Sequence, residues 1–220
     1  MLISQRTESF PQLSSVIARG GVIAFRTDTF YGLGADPLNV AAVRRIKRLK
    51  GREERKAILI VISDRKHVGR FIYHPSATFN LLAETFWPGP LTLIGQASAE
   101  VPFEVTAGTE TVGVRLPGDD KVRALIEACG GALTATSANP AHEAPAKTAA
   151  EVHAYFGDQI DLIVDDGAAR SDQPSTVVDA CASEPRLIRE GVIAWAEIQK
   201  ALNRVARGVL PSPSGRGLGV

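Results

Sequence analysis

The sequence predicts an α/β protein built on a twisted open mixed sheet with flanking helices, and three observations carry that expectation. Short apolar runs alternate with segments of helical period through most of the 220 residues, the pattern of strands layered against helices. Several links between strands are too short for a helical crossover, notably the one joining residues 175–180 to 185–189, so those neighbours must run antiparallel. No linker-like stretch divides the chain before the last ten residues, PSPSGRGLGV. Residues 1–200 are therefore expected as one domain and 201–220 as a flexible tail.

The elements follow in order. Residues 21–25 (GVIAF) read as a buried strand. From 39 to 49, Val40, Val43 and Ile46 share one face while Arg44, Arg45, Lys47 and Arg48 fall mostly elsewhere, as an amphipathic helix requires. Residues 57–62 form a second strand. Pro75 opens a helix carrying Phe79, Leu82, Ala83 and Phe86, which the Trp87-Pro88-Gly89-Pro90 cluster ends. Strands are predicted at 91–95 and 111–116. Asp119 and Asp120 start a helix running to Cys129, because carboxylates favour the positive end of the helix dipole. Further strands fit 132–136, 161–164, 175–180 and 185–189, with helices at 148–156 and 194–205. There is no internal repeat.

Composition narrows the function class. With 25 Lys+Arg against 24 Asp+Glu the formal net charge is +1, which excludes a globally basic nucleic-acid binder and an acidic solvating tail. The longest apolar run, 57–62, is far short of the roughly 20 residues of a membrane helix, and an Arg and a Glu interrupt the first ten residues where a signal peptide is apolar. A cytoplasmic protein with no membrane partner is expected. Cys129 and Cys181 read as small hydrophobes in a reducing compartment. The four histidines form no ligand pair at helical spacing, so no protein-built metal site is expected.

Charge is nevertheless uneven. Residues 44–56 hold eight basic side chains against Glu53 and Glu54, a local +6 inside a body of 1–200 that is otherwise mildly acidic. A solvated helix face accounts for the first half of that run. Lys50-Gly51-Arg52 falls where the helix ends, and two cations flanking a glycine can converge on one anion, so phosphate binding and a surface role both stand. Two other stretches concentrate polar groups at strand ends. One is Arg26-Thr27-Asp28-Thr29-Phe30-Tyr31-Gly32-Leu33-Gly34, read as a loop: either a small-ligand loop of an open sheet or a turn satisfied by its own side chains. The other is Ala132 to Asn139, where Ser137 and Asn139 either face ligand or cap the turn set by Asn139-Pro140. No Ser/His/Asp or Cys/His set points to covalent catalysis.

Taken in order, TDTFYGLG, the KGR step with Lys56 beyond it, FWPGPLTL, TVGVRLP, ALTATSAN, STVVD and LIREG resemble the YrdC-like threonylcarbamoyl-AMP synthases, over residues 15 to 195 or thereabouts. That resemblance implies a sheet enclosing a deep cavity. It also implies an activity: L-threonine, bicarbonate or CO2, and ATP give threonylcarbamoyl-adenylate and pyrophosphate, and a separate transferase complex then modifies tRNA. Magnesium is expected with the triphosphate. By position, Thr29, Arg115 and Ser175 would hold L-threonine. Lys50 and Arg52 would be catalytic, and Arg52, Lys56, Thr111, Ser137, Asn139 and Arg189 would line the ATP and carbamate side.

The sequence departs from the pattern at Arg26 (usually Pro), Ala57 (usually Pro), Val61 (His in some members) and the loop 140–145. Two other readings compete. A YrdC-like RNA-binding or ribosome-maturation protein without synthase activity would turn residues 44–56 toward tRNA or duplex RNA. A carbamoyl-transfer module is disfavoured, because such modules sit in longer chains.

Overall fold

A computed structural model describes residues 1–4, 9–51, 56–169 and 171–206; Arg52 and the tail beyond 206 lie outside the described residues. The chain runs β1 (Leu2–Ser4), α1 (Phe10–Ala18), β2 (Ile23–Arg26), β3 (Tyr31–Gly34), α2 (Val40–Leu49) and β4 (Leu59–Ile62). After a 3-10 turn at Arg65–His67 come α3 (Val68–Phe71), α4 (Ala77–Phe86), β5 (Leu91–Gln96), α5 (Phe103–Thr106), β6 (Thr111–Arg115) and α6 (Asp120–Ala128). The remainder is β7 (Ala132–Ser137), α7 (Ala149–Phe156), a second 3-10 turn, β8 (Leu162–Asp165), β9 (Thr176–Asp179), β10 (Arg186–Arg189) and α8 (Trp195–Ala206).

The strands form one ten-stranded sheet in the order β1-β8-β2-β3-β7-β4-β6-β5-β9-β10. It is mixed, as the short links require: β1–β8, β2–β8, β4–β6 and β5–β9 are parallel, and the other neighbours antiparallel. β7 is the seam. Its C-terminal part pairs with β3 through Gly32–Ser137, and its N-terminal part with β4 through Ile62–Ala132.

Alternation along the strands sends side chains to two separate cores. Ile60 and Ile62 face one core with Val43 and Ile46 of α2, Phe79 and Leu82 of α4, and Val152 and Phe156 of α7. Val61 and Leu133 face the other, with Leu13 and Ile17 of α1 and Leu125 and Ile126 of α6. The helices start on side-chain caps that the sequence announces. Asn39 Oδ1 accepts from Ala42 N at 3.1 Å, Asp119 Oδ1 accepts from Lys121 N at 2.9 Å, and Thr148 and Glu151 form a reciprocal capping box.

Several details differ from the sequence reading. Of the stretch 26–34 expected as a loop, Arg26 is the last residue of β2 and 31–34 are strand β3, paired antiparallel with β2, so only 27–30 turn. Two glycines in Tyr31-Gly32-Leu33-Gly34 dilute the strand signal, while pairing to β2 and β7 on either side overrides propensity. Helix α1, strand β1 and the short helices at 68–71 and 103–106 were not anticipated, although Leu13, Val16 and Ile17 of α1 have helical spacing and are buried. Lys47 is buried rather than on the solvent face of α2. Cys129 and Cys181 are free, the first buried and the second exposed.

Candidate active site

Helices α1 and α6 cover only part of their face of the sheet. Where they stop, over β4, β6, β5 and β9, the face opens into a pocket of about 280 Å³. On β6 the alternation puts Thr111, Gly113 and Arg115 on the same side, and Gly113 and Arg115 line the pocket. In register beside them, Ile94 lies opposite Gly113 and Thr92 pairs with Val177. The middle of the floor is apolar, where a Cβ on Gly113 would lie 3.6 Å from Leu59 Cβ and 3.7 Å from Ile94 Cγ1.

One end of the pocket is cationic. Arg115 and Arg189 both line it, and Arg189 is held down from the usual guanidinium range by its burial and by the charge of Arg115. Arg189 Nε and Nη2 donate to Ser175 O at 3.2 and 2.9 Å, and Nη2 also reaches Ser175 Oγ at 3.3 Å. Arg115 Nη1 stands 3.0 Å from Asp28 Oδ1, but the two are misaligned. Arg115 Nε and Nη1 and Asp28 Oδ1 are buried without a hydrogen bond among the described residues. Two adjacent guanidiniums, one of them with uncommitted donors, make a site for an anionic group, the carboxylate fork above all.

The hairpin turn supplies the third wall. Thr27 Oγ1 donates to Phe30 O at 2.8 Å and accepts from Thr29 N at 3.2 Å, which is the self-satisfied turn, and it leaves Thr29 lining the pocket. The turn reading and the ligand reading therefore both hold, on different residues. Behind it Arg26, buried at the end of β2, donates to Asp166 and Asp119. Burial alone would lower its pKa; those carboxylates outweigh it and raise it.

At the opposite end, elements far apart in sequence meet. Lys50 is buried and its Nζ donates to the carbonyl of Ser137, to Asn139 O at 2.7 Å and to Asn139 Oδ1 at 3.2 Å. Gly51 ends α2 with φ at +58°, a left-handed turn that glycine adopts without strain. The Lys50 carbonyl accepts from Ala141 N at 2.8 Å, so the end of α2 and the loop after β7 are stitched together.

Of the residues expected at the site, Thr29, Arg115, Ser137, Ser175 and Arg189 line the pocket. Lys50 and Asn139 lie just behind Ser137 and hold one another. The Thr111 hydroxyl donates to Thr109 Oγ1 at 3.0 Å, Lys56 is exposed, and Arg52 lies outside the described residues. The basic face of α2 is partly spent on ion pairs, Arg44 with Glu104 at 2.5 Å and Arg45 with Asp161 at 2.6 Å. Val61, flagged as a departure, faces the core under α6. Sequence reasoning gave no role to Thr92 or Gly113. The signal for Thr92 was a lone hydroxyl in the apolar run Leu91-Thr92-Leu93-Ile94, which once buried needs a partner. Among the described residues no three His, Cys, Asp or Glu side chains cluster so as to hold a metal ion, and no helix is long and apolar enough to cross a membrane.

Comparison with known proteins adds the following. The model of the Sua5/YciO/YrdC family, described as telomere recombination, matches residues 15–191. A protein of Thiobacillus denitrificans named threonylcarbamoyl-AMP synthase is 40% identical over 169 residues, covering 77% of this chain and 89% of the relative. Among solved structures, Pyrococcus abyssi Sua5 complexed with L-threonine superposes with a TM-score of 0.86 at 33% identity. That match covers 91% of this chain and 60% of Sua5, so the chain spans well under two thirds of that protein. Escherichia coli YciO superposes with a TM-score of 0.76 at 27% identity, covering 86% of this chain and 92% of YciO.

Proposed function

Since the chain belongs to the Sua5/YciO/YrdC family, we propose that it is an L-threonylcarbamoyladenylate synthase, a nucleotidyltransferase that takes L-threonine, bicarbonate or CO2, and ATP. The observation that carries the reading is the pair of guanidiniums beside Ser175, Arg115 buried and Arg189 at the exposed edge, with two Arg115 nitrogens free of hydrogen bonds among the described residues. It is supported by the family's threonylcarbamoyl-AMP synthases and by the L-threonine complex of Sua5.

In this reading Arg115, Ser175 and Thr29 hold the amino acid at the cationic end. The amine attacks the carbon of bicarbonate or CO2; with bicarbonate, water leaves, and the product is a carbamate. A carbamate oxygen then attacks the α-phosphorus of ATP, and pyrophosphate leaves. Both partners are anionic, so their approach costs Coulomb energy that fixed cations and hydroxyls must offset in a site poor in water. Arg189, Ser137 and Thr111 serve the nucleotide and carbamate side together with Asn139, Lys50, Arg52 and Lys56. Magnesium arrives with the triphosphate as part of the substrate. Residues 1–200 act as one catalytic unit in the cytoplasm, and its product passes to a separate transferase acting on tRNA. Direct contact with tRNA or duplex RNA would fall to the exposed Arg44, Arg48 and Lys56.

The test is an incubation of the purified chain with MgATP, bicarbonate and labelled L-threonine. Threonine-dependent pyrophosphate and a labelled adenylate are expected. Pyrophosphate release indifferent to threonine, or a salt-sensitive RNA shift with no turnover, would overturn the synthase reading.

A further inference from the structure

Thr92 is the one buried pocket hydroxyl on β5, and the geometry assigns it a task. Its Oγ1 lies 3.0 Å from Ser175 Oγ, across 83 positions of sequence. Its orientation is fixed from the other side, because its methyl packs over the bare Cα of Gly113: a Cβ added there would stand 3.1 Å from Thr92 Cγ2. A β-branched side chain with its methyl so placed has no alternative rotamer that keeps both contacts.

The proton count then decides what the pair offers. Ser175 Oγ already accepts from Arg189 Nη2 at 3.3 Å. Two hydroxyls carry two protons, and their mutual bond uses one. Whichever of them donates in that bond, one proton remains, with no further acceptor for it among the described residues. Both hydroxyls line the pocket together with Arg115 and Arg189, so the complementary partner for that proton there is an anionic oxygen.

We propose that Thr92 is a positioning residue of the amino-acid end of the pocket: it pins Ser175 so that the hydroxyl pair presents a single donor to the substrate carboxylate held by Arg115. The proposal rests on the synthase reading above for the identity of that carboxylate as L-threonine's.

The test compares the full chain with Thr92→Val, which keeps shape and removes the hydroxyl, and Thr92→Ser, which keeps the hydroxyl. Thr92→Val should raise the KM for L-threonine about 10-fold and leave the KM for ATP unchanged, while Thr92→Ser stays within about threefold of the parent. An unchanged threonine KM in Thr92→Val overturns the proposal. Equal rises in both KM values do so too, since they mean general loosening. Should Thr92→Val fail to fold, Thr92→Ala takes its place, read by calorimetric titration with L-threonine alone, and affinity equal to the parent there is decisive against it. A parent chain that binds L-threonine without turnover removes the synthase reading but leaves the same titration to judge Thr92.

Discussion

Two arginines at strand ends show how one residue type can close a structure or open a site. Arg26 ends β2 and Arg115 ends β6; they are 1% and 3% exposed, and each lies beside an aspartate. Around Arg26 every nitrogen is committed. Nε donates to Asp166 O and Oδ2 at 3.1 and 3.0 Å, Nη2 to Asp119 Oδ2 at 2.9 Å, and Nη1 to Thr27 O at 3.5 Å. Around Arg115 the aspartate is as near but out of line, and Nε and Nη1 make no hydrogen bond among the described residues. A buried charge is costly unless it is paired and hydrogen-bonded. The first site meets that cost internally and locks β2, the segment after β8 and the start of α6 together. The second leaves it outstanding, and an incoming carboxylate can settle it.

Substitutions break the pair apart in opposite directions. Arg115→Gln should lower threonine-dependent turnover about 100-fold, the scale of a lost charge-assisted hydrogen bond to a ligand, while the melting temperature stays close to the parent's. A collapse of the fold in that variant would mean that Arg115 is as structural as Arg26. Arg26→Met should do the reverse. Removing the cation leaves Asp119 and Asp166 facing one another, and unfolding free energy in a urea titration should fall by about 3 kcal/mol. At temperatures where that variant is folded, its KM for L-threonine should match the parent's within about twofold. A large KM change would place Arg26 in the site.

The smallest effect is expected at an exposed cluster, which gives the baseline for both. Glu127 is drawn below the usual carboxylate range by the hydrogen bond from Ser63, against a burial penalty, with His67 and Lys66 adding to the lowering. A carboxylate depressed in the folded state adds stability above its unfolded value near 4.5, and that increment is lost as pH falls through the folded value. Because its side chain is 53% exposed, solvent screens most of the increment. Glu127→Gln should therefore cost at most about 0.5 kcal/mol at neutral pH, and the gap should vanish on acidification when melting is followed between about pH 3 and pH 7. A gap that persists in acid would show that Ser63 needs Glu127 as a hydrogen-bond partner rather than as a charge.

Much of this was legible in the sequence, for identifiable reasons. Strand-end polar groups are visible because apolar runs stop where they begin; Thr29 and Ser137 were found that way, Ser175 through the family resemblance, and all three reach the pocket. Asp119 and Thr148 were legible as helix starts because capping is local. What escaped depends on pairing across the chain. Arg26 was visible only as an unusual residue, since its partners are 93 and 140 positions away. Thr92 looked like one polar residue in a strand until Ser175 was placed beside it. Tyr31 to Gly34 read as loop because the two strands that flank it come from 23–26 and 132–137.

The seam at β7 also bears on how the chain is made. During synthesis the N-terminal part of the sheet, β2 and β3, emerges about a hundred residues before the strand that joins it to β4. Pocket residues then continue to appear as far as Arg189 at the end of β10. A ribosome-bound chain accordingly carries exposed strand edges for most of its elongation, with neither a completed sheet nor a binding site. Competence arrives only once β10 and Arg189 have followed β9 out of the ribosome.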